Sequence, residues 1–184
     1  MAALSGHDTR APVAVTVFRP VNIAVLTVSD TRATADDRSG DLLVTMLSDA
    51  GHCLADRALV KDDIELIVAR LHVWIDDPAV DCVITTGGTG VTGRDVTPEA
   101  LARLGGKDIP GFGELFRWLS FQKIGTSTVQ SRACAIVARG TYVFALPGSP
   151  SAVRDGWDGI LASQLDSRHT PCNFVELMPR LSER

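Results

Sequence analysis

Short β-rich runs alternating with helical stripes constrain this chain more than any other feature of its sequence. Residues 22–29 (NIAVLTVS) are apolar with no alternation, as expected of a strand covered on both faces. Residues 53–60 form a weaker, more polar strand, and 80–86 (VDCVITT) the next buried one. Residues 133–138 and 141–146 read as two strands around a turn at Arg139-Gly140. In 39–51 (SGDLLVTMLSDAG), Leu42, Leu43, Met46, Leu47 and Ala50 follow helical spacing, and Gly51 supplies the stop. Asp62 opens a helix with one apolar stripe of Ile64, Ile67, Val68, Leu71, Trp74 and Ile75. Thr97 and Pro98 read as N-cap and first position of another. Phe112, Leu115, Phe116 and Leu119 mark a further helix, and Pro147-Gly148-Ser149-Pro150 turns the chain into a last one carrying Val153, Trp157, Ile160, Leu161 and Leu165.

Strands alternating with helices imply an α/β fold with a mainly parallel sheet covered on both faces. If the strands at 22–29, 53–60, 80–86 and 141–146 run parallel, their exits share one carboxyl edge, where open α/β sheets bind ligands. Ser29 and Asp30, Asp62, the glycine-rich turn after residue 86, and Pro147 to Ser149 are then expected to converge.

At 184 residues and 45% hydrophobic the chain suits one compact domain, able to bury about 70% of its unfolded surface. We divide it into an N-terminal extension (1–21), a main domain (22–165) and an irregular tail (166–184). A net charge of −4 and a pI near 5.5 argue against a polyanion-holding protein, so nucleic acid is not an expected partner. Residues 1–21, with Pro12, Arg19 and Pro20 around AVTVF, have neither the core of a secretion signal nor the length of a membrane span; a cytoplasmic location, with no membrane partner, is expected. Cys53, Cys82, Cys134 and Cys172 contain no C-x-x-C pair and do not cluster with His7, His52, His72 and His169. They read as reduced thiols, mostly in the core, rather than as a zinc site.

The glycine-rich turn admits several chemistries. Gly88-x-Gly90-x-x-Gly93 has the dinucleotide-binding spacing, but it follows the third strand and lacks a strand-ending acid about 20 positions on. A P-loop needs Lys then Ser or Thr where this chain has Arg94 and Asp95. Four glycines in seven residues exceed what a simple turn requires, and amides freed of side chains suit an oxyanion or phosphate. Asp30, Asp62 and Asp95 on the same edge would repel a phosphate unless a divalent cation bridges them, which points to Mg2+-dependent chemistry on a nucleotide. Each acid also has a plainer reading. Asp62 with Glu65 resembles a capping box, Asp30 an Asx turn, and Asp95 a partner of Arg94. Ser149-Pro150 reads as a helix N-cap that also permits anion binding. Ser131-Arg132 carries little on spacing alone, and His169 and Cys172 read as tail packing.

Ordered motifs extend this reading. Thr27-Val-Ser-Asp30, Thr86-Gly-Gly-Thr-Gly90, Arg94-Asp-Val-Thr-Pro-Glu99, Pro110-Gly-Phe-Gly-Glu114, Ser131-Arg132 and Leu146-Pro-Gly148 resemble, in order, those of the MoaB/MogA family of molybdenum cofactor biosynthesis proteins. Residues 119–128 and the ending Thr170-Pro-Cys-Asn-Phe174 resemble its MoaB branch. The resemblance implies a three-layer α/β sandwich assembling as trimers or hexamers, with molybdopterin and ATP as substrates and Mg2+ as cofactor. It implies nucleotidyl transfer, in which molybdopterin is adenylylated and pyrophosphate released, and leaves other proteins of the pathway possible partners. By the same resemblance Asp62 and Asp95 are the catalytic and metal-holding acids. Ser29, Asp30, Thr86, Gly87, Gly88, Thr89, Gly90, Ser131, Pro147, Gly148 and Ser149 are then expected to bind substrate. A noncatalytic pterin-binding or scaffold protein using the same cradle is the alternative, with a dehydrogenase a distant third.

Overall fold

The computed structural model describes residues 17–31 and 36–183. Residues 1–16, with His7 and most of AVTVF, and 32–35 of the loop after the first strand lie outside the described residues, as does Arg184. The elements run β1 (Asn22–Val28), α1 (Arg38–Asp49), β2 (Cys53–Val60), α2 (Ile64–Ile75), β3 (Cys82–Thr86), α3 (Thr97–Leu104), β4 (Lys107–Asp108), α4 (Pro110–Ile124), β5 (Cys134–Ala138) and β6 (Thr141–Leu146). They continue through α5 (Pro150–Gly156), a π-helical segment (Trp157–Leu161), α6 (Ala162–Gln164) and α7 (Phe174–Leu177).

One six-stranded sheet has the order β2-β1-β3-β6-β5-β4. β2, β1, β3 and β6 are mutually parallel, while β5 is antiparallel to β6 and to β4. Ile23 and Val25 of β1 face a core with Leu43 and Leu47 of α1, Phe112 and Phe116 of α4, and Val153 and Leu161 of the last helical run. Ala24, Leu26 and Val28 face the opposite core, with Ile67 and Leu71 of α2 and Leu101 of α3. That double burial is why the central strands carry no polar alternation. The weaker strand is the sheet edge β2, whose first four residues are exposed. After β2 the chain crosses back to the other side of β1, so the switch point of the sheet lies between β1 and β3.

Several elements differ from the sequence reading. The strand β4 is only two residues long, too short for a periodic signal in the Gly-Pro-rich stretch that holds it. The tail carries α7: Asn173 caps it by accepting from Glu176 N at 2.9 Å and donates to His169 O at 3.0 Å. Val175 is buried there and Tyr142 Oη donates to Phe174 O at 3.2 Å. Of the cysteines only Cys82 is fully buried; Cys53 and Cys172 are exposed, because Cys53 begins the edge strand and the buried Asn173 anchors the tail in place of Cys172.

The sheet edge is tight at one point. Gly87 sits at φ +107°, and a Cβ there would lie 2.1 Å from the Val28 carbonyl oxygen. Gly93, six residues further along the chain, has nothing within 4 Å of that position. Gly87→Ala is therefore expected to cost at least about 2 kcal/mol, a fall of roughly 4–8 °C in Tm, with Gly93→Ala close to neutral; calorimetry of the two variants checks this.

Candidate active site

The exits of β1, β2, β3 and β6 meet around a cleft of about 290 Å³. Its walls are Ser29, Asp30 and Thr31 after β1, Asp62 after β2, residues 87–90 with Thr92, Arg94 and Asp95 after β3, and Pro147 and Gly148 after β6. Backbone bonds stitch the exits together: Ser29 N donates to Val60 O at 2.9 Å and Gly87 N to Leu146 O at 3.0 Å. Thr86 lies beneath the floor, fully buried, and its hydroxyl donates to Pro147 O at 3.0 Å. Ser39 at the start of α1 donates to Gly148 O at 2.7 Å.

Two caps fall one position away from their expected residues, and both shifts shape the cleft. Asp63, not Asp62, caps α2, accepting from Leu66 N at 2.9 Å. Asp62 is released to the cleft, where its Oδ1 stands 2.9 Å from the position a Cβ would take on Gly88. Val96 occupies the cap position of α3 with no side-chain bond, and Thr97 is already helical. The Thr97 hydroxyl instead donates to Gly87 O at 2.8 Å, and its amide to Gly88 O at 2.9 Å, so the helix start anchors the glycine turn.

Asp95 folds back onto its own loop. Its Oδ2 accepts from Thr92 N at 2.9 Å and Thr92 Oγ1 at 2.5 Å, and lies 2.8 Å from a Cβ position on Gly90. Burial pushes this carboxyl up, but donation from Thr92 and from the Gly90 amide, with the Arg132 charge, outweighs burial and holds it below the ordinary carboxylate value. Asp62 shifts the opposite way. Burial raises it first, then the Asp30 and Asp95 charges; donation from the Asp30 backbone amide to the Asp62 carboxylate and the Arg94 charge only partly offset them. Arg94 reaches Asp30 at 3.9 Å. The Gly87 amide is used by Leu146, and those of Gly90 and Thr92 by Asp95. Of the amides from Gly87 to Gly90, those of Gly88 and Thr89 are the ones with no protein acceptor among the described residues.

Ser131 and Ser149 do not line this cleft. They belong to an adjoining, more apolar pocket of about 230 Å³ with Phe116, Ile124, Thr128 and Ala152, which shares Thr89, Gly90 and Pro147 as a common wall. Ser149 caps α5 as expected, accepting from Ala152 N at 3.2 Å. Sequence reasoning missed Thr92 and Arg132. The Thr92-Gly-Arg-Asp95 spacing, an acid reaching back three residues, was a usable signal for Thr92. Arg132 stands in the Ser131-Arg132 motif, but local spacing gives it no role, since its partners lie 33, 37 and 42 residues away in the chain.

Comparison with known proteins gives the family of the chain. The family model described as "Probable molybdopterin binding domain" matches residues 24–167. Molybdenum cofactor biosynthesis protein B of Escherichia coli is 50% identical over 159 residues, spanning 86% of this chain and 94% of its own. A crystal structure of a molybdenum cofactor biosynthesis protein B matches with a TM-score of 0.80 at 37% identity, covering 90% of this chain and 98% of that one. The tungsten cofactor synthesizing protein MoaB from Pyrococcus furiosus matches at 0.74 and 34% identity, over 90% of this chain and 99% of that one. The chain belongs to the MoaB/MogA family of molybdopterin-binding proteins.

Proposed function

We propose that this chain catalyses Mg-ATP-dependent adenylylation of molybdopterin. The terminal phosphate oxygen of molybdopterin attacks the α-phosphorus of ATP, the bond from that phosphorus to the bridging oxygen of the β-phosphate breaks, and pyrophosphate leaves. One observation carries the reading: acids from two different strand exits, Asp62 and Asp95, stand against two glycines of a single loop, Gly88 and Gly90. Two hard carboxylates suit Mg2+, which ordinarily takes one or two protein carboxylates and completes its shell with water and substrate phosphates. Among the described residues no group of three or more His, Cys, Asp or Glu stands placed to hold a metal ion by itself.

In this reading Asp62 and Asp95 hold Mg2+, which when bound neutralises the polyphosphate and makes the α-phosphorus more electrophilic. The amides of Gly88 and Thr89 receive phosphate oxygens, and Arg94 turns its guanidinium from Asp30 to phosphate. The adjoining apolar pocket takes the pterin, with Ser131 and Ser149 as its polar contacts and Thr89, Gly90 and Pro147 between the two substrates. Catalysis is then mostly positioning and charge neutralisation. Exposed Trp118, Phe121, Ile124 and Val129 on and just after α4 support self-association as a trimer or hexamer. Among the described residues no helix is long and apolar enough to cross a membrane, and a cytoplasmic location fits the proposed pathway role.

The noncatalytic pterin-binding or scaffold reading keeps one specific support: the Asp95 carboxylate already serves its own loop through Thr92. Turnover separates the two. Protein supplied with molybdopterin, Mg2+ and ATP is expected to form adenylylated product, and Asp62→Asn or Asp95→Asn to slow it by about 10²-fold or more with the circular dichroism spectrum retained. Pterin binding without product in the parent protein rejects the enzyme reading.

The pH profile gives an independent check. Because burial and the Asp30 and Asp95 charges hold the Asp62 carboxyl above the ordinary carboxylate value in the metal-free protein, Mg2+ binding should weaken along an acid limb as pH drops through that raised value. Removing the neighbouring charge with Asp30→Asn should move the acid limb to lower pH; a limb that stays put or moves up contradicts the assignment of Asp62.

A further inference from the structure

Glu99 and Arg132 belong to the family motifs, yet the proposed chemistry gives neither a part, and neither lines the cleft. We infer that Arg132 is the positioning residue of the glycine loop, gripping its carbonyls from behind while Glu99 fixes the guanidinium.

The contacts are specific. Arg132 Nε donates to Gly90 O at 2.6 Å and Nη2 to Asp95 O at 2.6 Å, so one planar group holds two points of the loop five residues apart. The Arg132 amide donates to Thr89 O at 2.8 Å, adding a third point beside the first. On the far side Glu99 accepts from both Nη1 and Nη2, the second at 3.2 Å, in a forked pair. Arg132 is itself held by the segment around it, since Arg117 of α4 donates to Ala133 O at 3.1 Å.

A plainer reading is a surface ion pair. The Arg132 and Glu99 side chains are 33% and 47% exposed, and such pairs contribute little to stability. The ion pair alone does not explain the two main-chain acceptors. Gly90 and Asp95 are the residues whose backbone sets where the Asp95 carboxylate meets the Gly90 and Thr92 amides. Carbonyls drawn outward toward a guanidinium leave the loop's amides to its concave side, the arrangement that binds anions. Only arginine presents five donors in a rigid fork, so a lysine ammonium does not span Gly90, Asp95 and Glu99 together.

The inference rests on the proposed function for what the loop binds, but not for how the loop is held, and the test separates the two. Amide hydrogen exchange and calorimetric binding of inorganic pyrophosphate with Mg2+ are measured on the full chain, its Arg132→Ala and Arg132→Lys variants, and Glu99→Gln. Arg132→Ala should speed exchange at residues 88–95 by at least about tenfold, leave residues 82–86 unchanged, and weaken pyrophosphate binding by about 10- to 100-fold, as loss of an orienting partner does. Arg132→Lys should recover little of this, Glu99→Gln should lie between, and millimolar guanidinium added to Arg132→Ala should restore part of the binding, which a merely structural defect would not allow. Unchanged exchange at 88–95 in Arg132→Ala, or full recovery in Arg132→Lys, overturns the inference. If Arg132→Ala does not fold, Arg132→Lys and Glu99→Gln decide by the same exchange readout. A parent protein that ignores pyrophosphate while Arg132→Ala still loosens the loop would overturn the function proposed above and leave the strut standing.

Discussion

The approach of the Val28 carbonyl to Gly87, close enough that no side chain fits between them, is the constraint from which the rest of the cleft follows. It brings the ends of β1 and β3 within backbone contact at the switch point of the sheet, where the chain has crossed from one side of β1 to the other. With those two ends fixed, the remaining exits are tied by main-chain bonds: β2 through Ser29 N to Val60 O, and β6 through Gly87 N to Leu146 O. Loops 29–31, 61–63, 87–95 and 147–149 therefore cannot separate without breaking the sheet edge. A positive φ and a missing Cβ at one residue place four loops around one volume.

That compression sets the electrostatics. Asp30, Asp62 and Asp95 arrive from three different exits, and among the described residues Arg94 is the cation that lines the cleft with them. Its contact with Asp30 is long, at 3.9 Å, and its side chain is 78% exposed, so solvent screens most of what it offers. Among the described residues the net negative charge is thus incompletely balanced, and burial raises the cost of leaving it so. A multivalent cation relieves this better than a flexible surface arginine does, and with the acids neutralised the loop's remaining amides can meet a phosphate without opposing charge.

The sheet was legible because burial on both faces removes alternation: residues 22–29 and 80–86 read as strands, and their parallel course followed from the helices between them. The convergence at the carboxyl edge was legible for the same reason. Capping was not, because Asp62-Asp63 offers two acids for one helix start and composition does not say which one turns inward. Thr97 likewise suits a cap, yet its hydroxyl finds a better acceptor in the Gly87 carbonyl, a partner ten residues away that no local pattern reveals. The role of Arg132 lay beyond reach because two of its acceptors are carbonyls, which every residue has, and the third, Glu99, is 33 residues away in the chain. The tail was misread as irregular since one buried asparagine, Asn173, replaces the apolar periodicity that marks a helix.

Asp62 and Asp95 are not equivalent, although their spacing around the loop makes them look like a matched pair. Asp95 is supplied with donors from Thr92 and Gly90 and stays ionised at lower pH than a free carboxyl. Asp62 has burial and two neighbouring acids against it and ionises less readily. Pairs of carboxyls whose surroundings push them apart commonly divide a task. Here the division is between a fixed charge and a responsive one. If the two acids hold a cation as proposed above, Asp95, clamped by its own loop, supplies a fixed charge, while Asp62, held up by burial and by the Asp30 and Asp95 charges, gains most from the cation's arrival. If the loop holds a phosphate beside that cation, the two amides it gives to Asp95 are anion donors forgone in favour of a fixed carboxylate charge.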